Sequence, residues 1–552
     1  MNAEKIYPRW AISPEKRRVF VWSVAVFVAF AALAMLRLVV SFPVPRNSDD
    51  ANNFLAGVEM GRGNWNLHGW FMAPDSFYTT DVLGIAVLTR VFGVHPLLMQ
   101  GLEAVLWAMI VMTGILLAAR GRGVRESIVA GLAVITLLAF TVQMGNGAMQ
   151  IPTMVASHAF PILLALLTFW MTVEVCERDG PIRLSRLALL GLAVVMGSIA
   201  DPTYVVMGCL PVLVTCFMRL TRRGRNADKL AVLCVVLSGL ALSRLIQHRL
   251  RHAGGFEQLT LQIDFAGFNE IIAHTLFSLH AFAENFGADF SGKPVTPSLL
   301  DGPYIFILRF PFLLLFFLAL AEVGFLCLKQ FRRWPDRQAA AVGPGCLDQL
   351  LFTSVVLGAT AAIVTTAIVD GSCVRYFLPA TVAGAILLAR TYAATPFFAL
   401  YVAVGLAGSV LSEAHILKNG PGRAVMAEEN VMRLSNTLRA HDLHHGYAGY
   451  WQSSIITALT KEDIRVLALT DGGSDGLRPM RWFANQDWYS AASTGWRGQV
   501  FFVARASGTG SMELSQETVI RDFGTPVEIL HVGPYLVDVY NVGHGEMKLP
   551  RP

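Results

Sequence analysis

Two short stretches of this sequence carry charged side chains of the kinds that group transfer needs. The first runs from Asn47 to Phe54 and contains the adjacent acids Asp49 and Asp50. Neighbouring carboxylates act as a general base or as cation ligands when their surroundings separate their pKa values. The same pattern fits a helix that is capped by Ser48 and carries acids in its first turn. The sequence leaves both interpretations open.

The second stretch runs from Asp370 to Pro379 and contains Arg375 and Tyr376. A guanidinium at membrane depth is costly unless an anion accompanies it. Arginine binds phosphate through a planar fork of N–H donors. We therefore expect Arg375 and Tyr376 to bind the phosphate of a lipid. The alternatives are an ion pair between Arg375 and Asp370, or an arginine whose guanidinium group simply extends to the water at the interface.

Aromatic and polar side chains that follow the acidic pair suit the binding of a sugar or an acceptor. Indole rings stack on sugars, while amide, acid and imidazole groups bind hydroxyls. An aromatic belt at the membrane–water interface explains the tryptophans equally well. The candidates are Trp65, His68, Trp70, Asp75 and Tyr78.

Two other groups have a mainly structural interpretation. Asp201 precedes Pro202, a pattern that is typical of the first turn of a helix. The stretch from Gly446 to Trp451 could offer an aromatic platform to a sugar, but we favour a place in the core of a C-terminal domain.

The elements that must position these residues cross a membrane. The chain has 552 residues, of which 54% are hydrophobic and 15% are charged. A soluble domain has about 25% charged residues, so this composition excludes a disordered chain, a collagen-like chain and a purely soluble enzyme. Apolar runs of about 20 residues span a bilayer. Such runs predict about eleven transmembrane helices, at 19–41, 97–118, 124–143, 154–175, 186–200, 203–220, 229–247, 304–328, 348–369, 375–392 and 395–412.

The placement of Lys and Arg predicts the orientation, because these residues collect in cytoplasmic loops. With eleven spans, the predicted cytoplasmic segments hold about three times as many of them as the external loops. A full crossing by the short apolar run 77–92 would invert every later loop, so we interpret this run as a surface helix. The N-terminus is then cytoplasmic and the C-terminus external. A net charge of +5 does not indicate nucleic acid binding.

The predicted fold class is a polytopic α-helical membrane protein with a C-terminal periplasmic α/β domain. Residues 1–412 would form the transmembrane domain, with external loops at about 43–96 and 248–303. Residues 413–552 would form the soluble domain, which closes with a hairpin that turns at Gly533-Pro534. The expected location is the inner membrane of a bacterium.

This pattern resembles the GT-C superfamily of integral-membrane glycosyltransferases, which use polyprenyl-phosphate sugars. The resemblance depends on the acidic pair soon after the first span, a short apolar segment before the second, an R-Y-x-L-P motif at 375–379 and an external tail. Aminoarabinose transferases and protein O-mannosyltransferases come nearest. The resemblance implies that Asp49 is the general base and that Asp50 supports it or binds a metal.

One segment departs from the pattern of that superfamily. Many relatives carry a further acid in the second external loop, and the corresponding segment 143–150 has none. His158 could take its place as a metal ligand or as a contact to sugar or acceptor. A divalent metal held by Asp50 and His158 therefore stays open, and the sequence requires no other cofactor.

The sequence thus predicts an inverting glycosyltransferase. It would move a sugar from a polyprenyl-phosphate donor to a hydroxyl of a glycan, lipid or protein acceptor on the periplasmic face. Nucleotide sugars are not expected on that side, so the donor should be a lipid. The alternatives are an oligosaccharide ligase or polymerase with a lipid-pyrophosphate donor, and a non-enzymatic transporter of lipid or sugar. Membrane lipid is an expected partner and nucleic acid is not.

Overall fold

The computed structural model describes most of the chain. The described residues are 14–41, 46–140, 158–177, 181–220, 226–260, 262–290, 303–332, 343–419, 423–480, 482–489, 496, 498–505 and 512–542. The segment 143–150 and the later part of the predicted loop 248–303, from 291 to 302, lie outside the described residues.

Helices make up most of the described chain. In chain order they are α1 (Pro14–Ser41), α2 (Ser48–Gly61), α3 (Leu83–Phe92), α4 (Leu97–Ala119), α5 (Val124–Leu138), α6 (Ala159–Cys176), α7 (Leu184–Ala200), α8 (Pro202–Leu220), α9 (Asn226–His252), α10 (Phe268–Asn285), α11 (Pro303–Arg332), α12 (Cys346–Val364), α13 (Leu378–Tyr392), α14 (Pro396–Asn419), α15 (Arg423–Ala440), α16 (Tyr450–Leu459) and α17 (Gln516–Phe523). A 3-10 turn at Gly371–Phe377 leads directly into α13.

Every predicted span contains one of these helices. Among the described residues, nine helices are long and apolar enough to cross a membrane. The other two, α5 and α7, have 15 and 17 residues. The multi-pass membrane architecture is confirmed, whereas the number of eleven crossings is not established by helix length.

Helix α13 is the central helix of the membrane bundle. All its residues from 378 to 390 are buried, as expected for a helix that is apolar on every side. It packs against α4, α5, α11 and α12. Because Arg375 lies in the 3-10 turn that precedes this helix, the backbone of Arg375 is held by the most buried span.

Helix α2 is short and almost entirely buried, and it carries the acidic pair. It packs against α3, the predicted helix in 77–92, which starts with one π-helical turn at Tyr78–Val82. A Cβ on Gly57 would lie 2.6 Å from the Cβ of Ile85. Gly57 therefore lets the two helices approach closely, as small residues do between packed membrane helices.

The C-terminal region contains a six-stranded sheet. Its strands are β3 (His445–Ala448), β4 (Arg465–Asp471), β5 (Leu477–Pro479), β7 (Gly498–Arg505), β8 (Glu528–Val532) and β9 (Tyr535–Val542), in the order β5-β4-β3-β7-β9-β8. The central strand β3 is parallel to both β4 and β7. The predicted hairpin is the antiparallel pair β8–β9. A C-terminal α/β region is thus confirmed, and helix α14 continues past residue 412 to Asn419.

A second, small sheet joins three distant parts of the chain. Its strands are β1 (Trp70–Met72), β2 (Glu257–Gln258) and β6 (Ala484–Asn485), with β1 in the middle. Phe71 pairs with Glu257 on one side and with Ala484 on the other. Both predicted external loops and the C-terminal region therefore meet at one end of the bundle, which we call the capped face.

Candidate active site

The two adjacent acids have different local roles at the start of α2. Asn47 caps the helix, since its side chain accepts from the N–H of Asp49 at 2.9 Å and of Asp50 at 3.2 Å. The carboxylate of Asp50 accepts from the N–H of Asn47 at 3.3 Å, which completes a capping box. The predicted cap, Ser48, is instead the first helical residue. Asp50 is thus turned towards its own helix end, whereas Asp49 faces away from it.

Tyr450 of the C-terminal region reaches the carboxylate of Asp49. Its hydroxyl donates to Oδ1 of Asp49 and accepts from Nδ2 of Asn52 at 3.2 Å. The ring is 2% exposed. The sequence suggested a core position within Gly446–Trp451, and this tyrosine is indeed buried, but against the acidic pair.

The position of Tyr450 follows from the sheet. It is the first residue of α16, directly after the carboxyl end of the parallel strand β3, which is where open α/β sheets place ligand-binding residues. A Cβ on Gly449 would lie 2.6 Å from the carbonyl oxygen of Met512. Only glycine permits this approach, and the N–H of Tyr450 donates to the same oxygen at 2.8 Å.

Burial raises the pKa of Asp49 above its ordinary value. The hydrogen bond from Tyr450 and the positive charge of Arg375 both act in the opposite direction. A carboxylate with a raised pKa is a better general base than an exposed one. Because the charge of Arg375 acts on Asp49, the two predicted charged stretches lie near each other in the fold.

The turn before α13 presents Arg375 to this site. Asp370 accepts from the N–H and the hydroxyl of Ser372, at 2.8 and 2.6 Å. The Ser372 hydroxyl in turn accepts from Nη1 of Arg375 at 3.3 Å. The guanidinium carbon lies 5.2 Å from the centroid of the Tyr376 ring. The predicted pair of Arg375 and Asp370 is therefore replaced by a chain of contacts through Ser372.

Tyr376 connects the arginine to a second buried group. Its ring lies 6.0 Å from the imidazole of His158 in an edge-on arrangement. Nδ1 of His158 is 2.5 Å from Oδ2 of Asp201, and both side chains are buried. The other oxygen of Asp201 accepts from the N–H and the hydroxyl of Thr203, each at 2.7 Å. Asp201 thus caps α8, as its sequence context indicated, and pairs with His158 as well.

Asp75 completes this group. One ligand atom from each of Asp75, His158 and Asp201 lies within 4.8 Å of the other two. His158 has a φ of 64° and Phe77, whose ring is 5.8 Å away, has a φ of 47°. Two bulky residues in left-handed backbone conformations are strained, and such strain concentrates at functional sites.

The three side chains shift one another's pKa values. Burial, with the negative charge of Asp201, raises the pKa of Asp75 to about 6. Burial acts to lower the pKa of His158, but the charge and hydrogen bond of Asp201 outweigh it, so the pKa is raised. Burial acts to raise the pKa of Asp201, but the charge and hydrogen bond of His158 outweigh it, so the pKa is lowered. Both shifts favour the charged forms of His158 and Asp201, as in an ion pair.

Two carboxylates and one imidazole could also bind a divalent cation. Nitrogen and oxygen ligands of this mixture suit zinc or manganese. From the sequence, Asp50 and His158 were the possible ligands of such a site. The structure brings His158 together with Asp75 and Asp201, while Asp50 belongs to the cap of α2.

The other predicted sugar contacts lie apart from this group. Trp70 is 1% exposed, and its indole N–H donates to Glu59 at 3.3 Å. Tyr78 donates to the carbonyl oxygen of Trp65 at 2.7 Å. Trp65 is 52% exposed and His68 forms an exposed pair with Asp487 at 3.3 Å. Trp65 and His68 thus face solvent, whereas Trp70 is a packing residue of the capped face.

Fold and site together define a multi-pass membrane protein that carries a half-buried acid and a half-buried arginine near each other. The fold is similar to that of ArnT from Cupriavidus metallidurans, a GT-C glycosyltransferase. The structure of ArnT bound to undecaprenyl phosphate matches with a TM-score of 0.52 and 12% sequence identity, over 94% of this chain and 98% of that one. The apo structure of the same protein also matches over 94% of this chain and 98% of that one, with a TM-score of 0.43 and 11% identity. The GT-C resemblance is thus confirmed as a likeness of fold.

No protein-family model and no curated protein matches this sequence.

Proposed function

We propose that this protein is an inverting glycosyltransferase that uses a polyprenyl-phosphate sugar. The observation that carries the proposal is the proximity of Asp49 and Arg375, a half-buried base and a half-buried cation whose charges act on each other. Transfer of a sugar from a phosphate needs both charges, since one side chain must take a proton while another stabilises the departing phosphate.

The fold supports the choice of donor. The ArnT structure with the same fold is bound to undecaprenyl phosphate. In this protein Arg375 precedes the central membrane helix, so a phosphate at the guanidinium would leave its lipid tail beside the spans. Tyr376, whose ring packs under the guanidinium, orients it.

The reaction would proceed in one displacement. The acceptor hydroxyl oxygen forms a bond to C1 of the sugar, and the bond between C1 and the phosphate oxygen breaks. The electron pair of that bond stays on the phosphate, which Arg375 holds, and the hydroxyl proton passes to Asp49. Attack opposite the leaving group inverts C1. The products are the glycosylated acceptor and polyprenyl phosphate.

The group of Asp75, His158 and Asp201 would form the wall of the site next to Tyr376. Asp75 can hold a sugar hydroxyl or amine, and it is suited to exchange a proton because its pKa lies at about 6. A divalent cation bound there would add positive charge near the leaving phosphate.

The proposed location follows from charge placement. An inner-membrane protein with a cytoplasmic N-terminus would have its capped face in the periplasm, with residues 413–552 as the periplasmic domain. The donor would then approach laterally through the outer leaflet. Glycans, lipids and proteins that carry hydroxyls are available there as acceptors.

The experiment is a transfer assay with the purified full-length protein in nanodiscs. Synthetic undecaprenyl-phosphate pentoses and hexoses are mixed with cell-envelope glycolipid, polysaccharide or protein fractions, and released undecaprenyl phosphate is measured with the glycosylated product. Asp49→Asn is the inactive control. Turnover only with pyrophosphate-linked donors would instead indicate a ligase or polymerase. Movement of an intact lipid-linked sugar across vesicles, without cleavage, would indicate a transporter.

A further inference from the structure

Helix α10 presents an apolar face that no described part of the chain covers. Phe268, Ile272, Leu276 and Leu279 recur at helical spacing, so they lie on one face. Their exposed fractions are 78%, 49%, 64% and 49%. Glu270, which is also exposed, lies outside this face. A soluble surface rarely leaves such a stripe open to water.

The opposite face of α10 is fixed to the membrane bundle. His274 contacts the carbonyl oxygen of Ile363, near the end of α12, at 3.2 Å. The ring of Phe282 lies 5.5 Å from the ring of Phe377. The helix therefore cannot turn its apolar stripe inward without breaking these contacts.

The stripe continues into the lipid-facing surface of a membrane span. Phe290 follows α10, and its ring lies 6.1 Å from that of Phe310 in the first part of α11. Leu314 and Leu318 extend the same exposed surface along α11, with exposed fractions of 48% and 57%. Because α11 is long and apolar enough to cross the bilayer, this surface faces hydrocarbon.

We propose that α10 lies in the membrane interface, with the stripe of Phe268, Ile272, Leu276 and Leu279 immersed in the hydrocarbon of the adjacent leaflet. Helices with one apolar and one polar face bind membranes in this way. The helix connects α9 to α11, so its chain starts and ends at membrane spans. This inference does not depend on the proposed sugar transfer.

The immersed helix would set the depth of Arg375. Nδ2 of Asn285, the last residue of α10, donates to the carbonyl oxygen of Val374 at 3.2 Å. Val374 directly precedes Arg375 in the 3-10 turn. A helix that rests at the boundary of hydrocarbon and headgroups thus holds the guanidinium at the level where lipid phosphates lie.

Photocrosslinking in nanodiscs of phosphatidylethanolamine and phosphatidylglycerol tests this inference. p-Benzoylphenylalanine replaces Leu276 in one full-length variant and Phe268, a conservative position, in a second. Glu270 is the matched control on the same helix, and Leu314 on α11 is the positive control. Intact-protein mass spectrometry then measures the share of protein that carries a phospholipid adduct.

We expect Leu276 and Phe268 to give roughly fivefold more phospholipid adduct than Glu270, at a level near that of Leu314. Equal adduct at Leu276, Phe268 and Glu270 would overturn the inference. So would crosslinks confined to the polypeptide, which would show that another segment of this chain covers the stripe. Adducts that form only with added undecaprenyl phosphate would also overturn it, in favour of a groove for the lipid donor.

Discussion

The hydroxyl of Tyr450 donates a hydrogen bond to the carboxylate of Asp49, although 401 positions separate the two residues in the chain. Asp49 belongs to the first helix after the first span, and Tyr450 begins a helix of the C-terminal region. The C-terminal region is therefore part of the candidate active site and not only a cover over it.

Removal of this hydroxyl should change the pH dependence of the reaction. The hydrogen bond from Tyr450 lowers the pKa of Asp49 against the larger effect of burial, so Tyr450→Phe should raise that pKa further. The base works only when ionised. The acid limb of the kcat/KM profile should therefore move to higher pH by about one unit, the equivalent of one charge-assisted hydrogen bond.

Tyr447→Phe is the matched control, since Tyr447 is a buried tyrosine of the same sheet whose ring stacks on Phe502. Its profile should coincide with that of the wild-type protein. An unmoved acid limb in Tyr450→Phe would contradict the link between this hydroxyl and the base.

Substitutions of the two adjacent acids should have different effects on turnover. Asp49→Asn removes the proton acceptor and should lower kcat by about 10²–10⁴-fold, the usual contribution of a general base. Asp50→Asn keeps an oxygen that can accept from the N–H of Asn47, so the cap survives and kcat should stay within roughly threefold. Equal losses in the two variants, measured in the transfer assay, would remove the distinction between base and cap.

Arg375 should control the affinity for the lipid phosphate. Arg375→Ala should weaken binding of undecaprenyl phosphate by about 10–100-fold, because a hydrogen bond to a charged group contributes about 1.5–3 kcal/mol. Arg375→Lys should recover part of this loss, since a point charge lacks the planar fork. Arg90→Ala, at an exposed arginine of α3, controls for a general loss of positive charge. Binding measured by calorimetry should be unchanged in that control, and an equal loss there would argue against a specific phosphate site.

The ion pair of His158 and Asp201 should shape stability as a function of pH. The pKa of His158 is raised, so its contribution is complete below 6.5, the ordinary value, and disappears as the pH rises through the folded value. The pKa of Asp201 is lowered, so its contribution is present above 3.8 and disappears as the pH falls through the folded value. Stability from this pair is therefore greatest between these two limits.

The thermal midpoint of the protein in detergent should accordingly decrease as the pH is raised from weakly acidic to alkaline values. In Asp201→Asn this alkaline loss should be much smaller, because the imidazole no longer has a charged partner. The same alkaline fall in wild type and variant would show that other groups cause it.

The sequence predicted those features that depend on local patterns. Apolar run length located the helices of the membrane bundle, and alternation with a Gly-Pro turn located the hairpin β8–β9. The charged stretches around Asp49 and Arg375 stood out because ionised residues beside apolar runs are costly. These predictions needed no knowledge of which segments touch.

The long-range contacts of Tyr450 and Asp201 were not predicted, because local patterns do not reveal them. Each has a sufficient local explanation, Asp201 as a helix cap and Tyr450 as a buried aromatic residue. Their second contacts, to His158 and to Asp49, join segments that are far apart in the chain. The order of a strand, Gly449 and Tyr450 in the sequence could have indicated a role in the site for Tyr450, since residues that follow a parallel strand often face a ligand.

We propose that Asp49 and Arg375 form one site for a lipid phosphate and its sugar. The most direct measurement is a cryo-electron microscopy map of the full-length protein in nanodiscs with undecaprenyl phosphate. We expect phosphate density against the guanidinium of Arg375, with the carboxylate of Asp49 facing the same cavity and the lipid tail beside the spans. Phosphate bound elsewhere, with Asp49 and Arg375 enclosed only by protein, would contradict it.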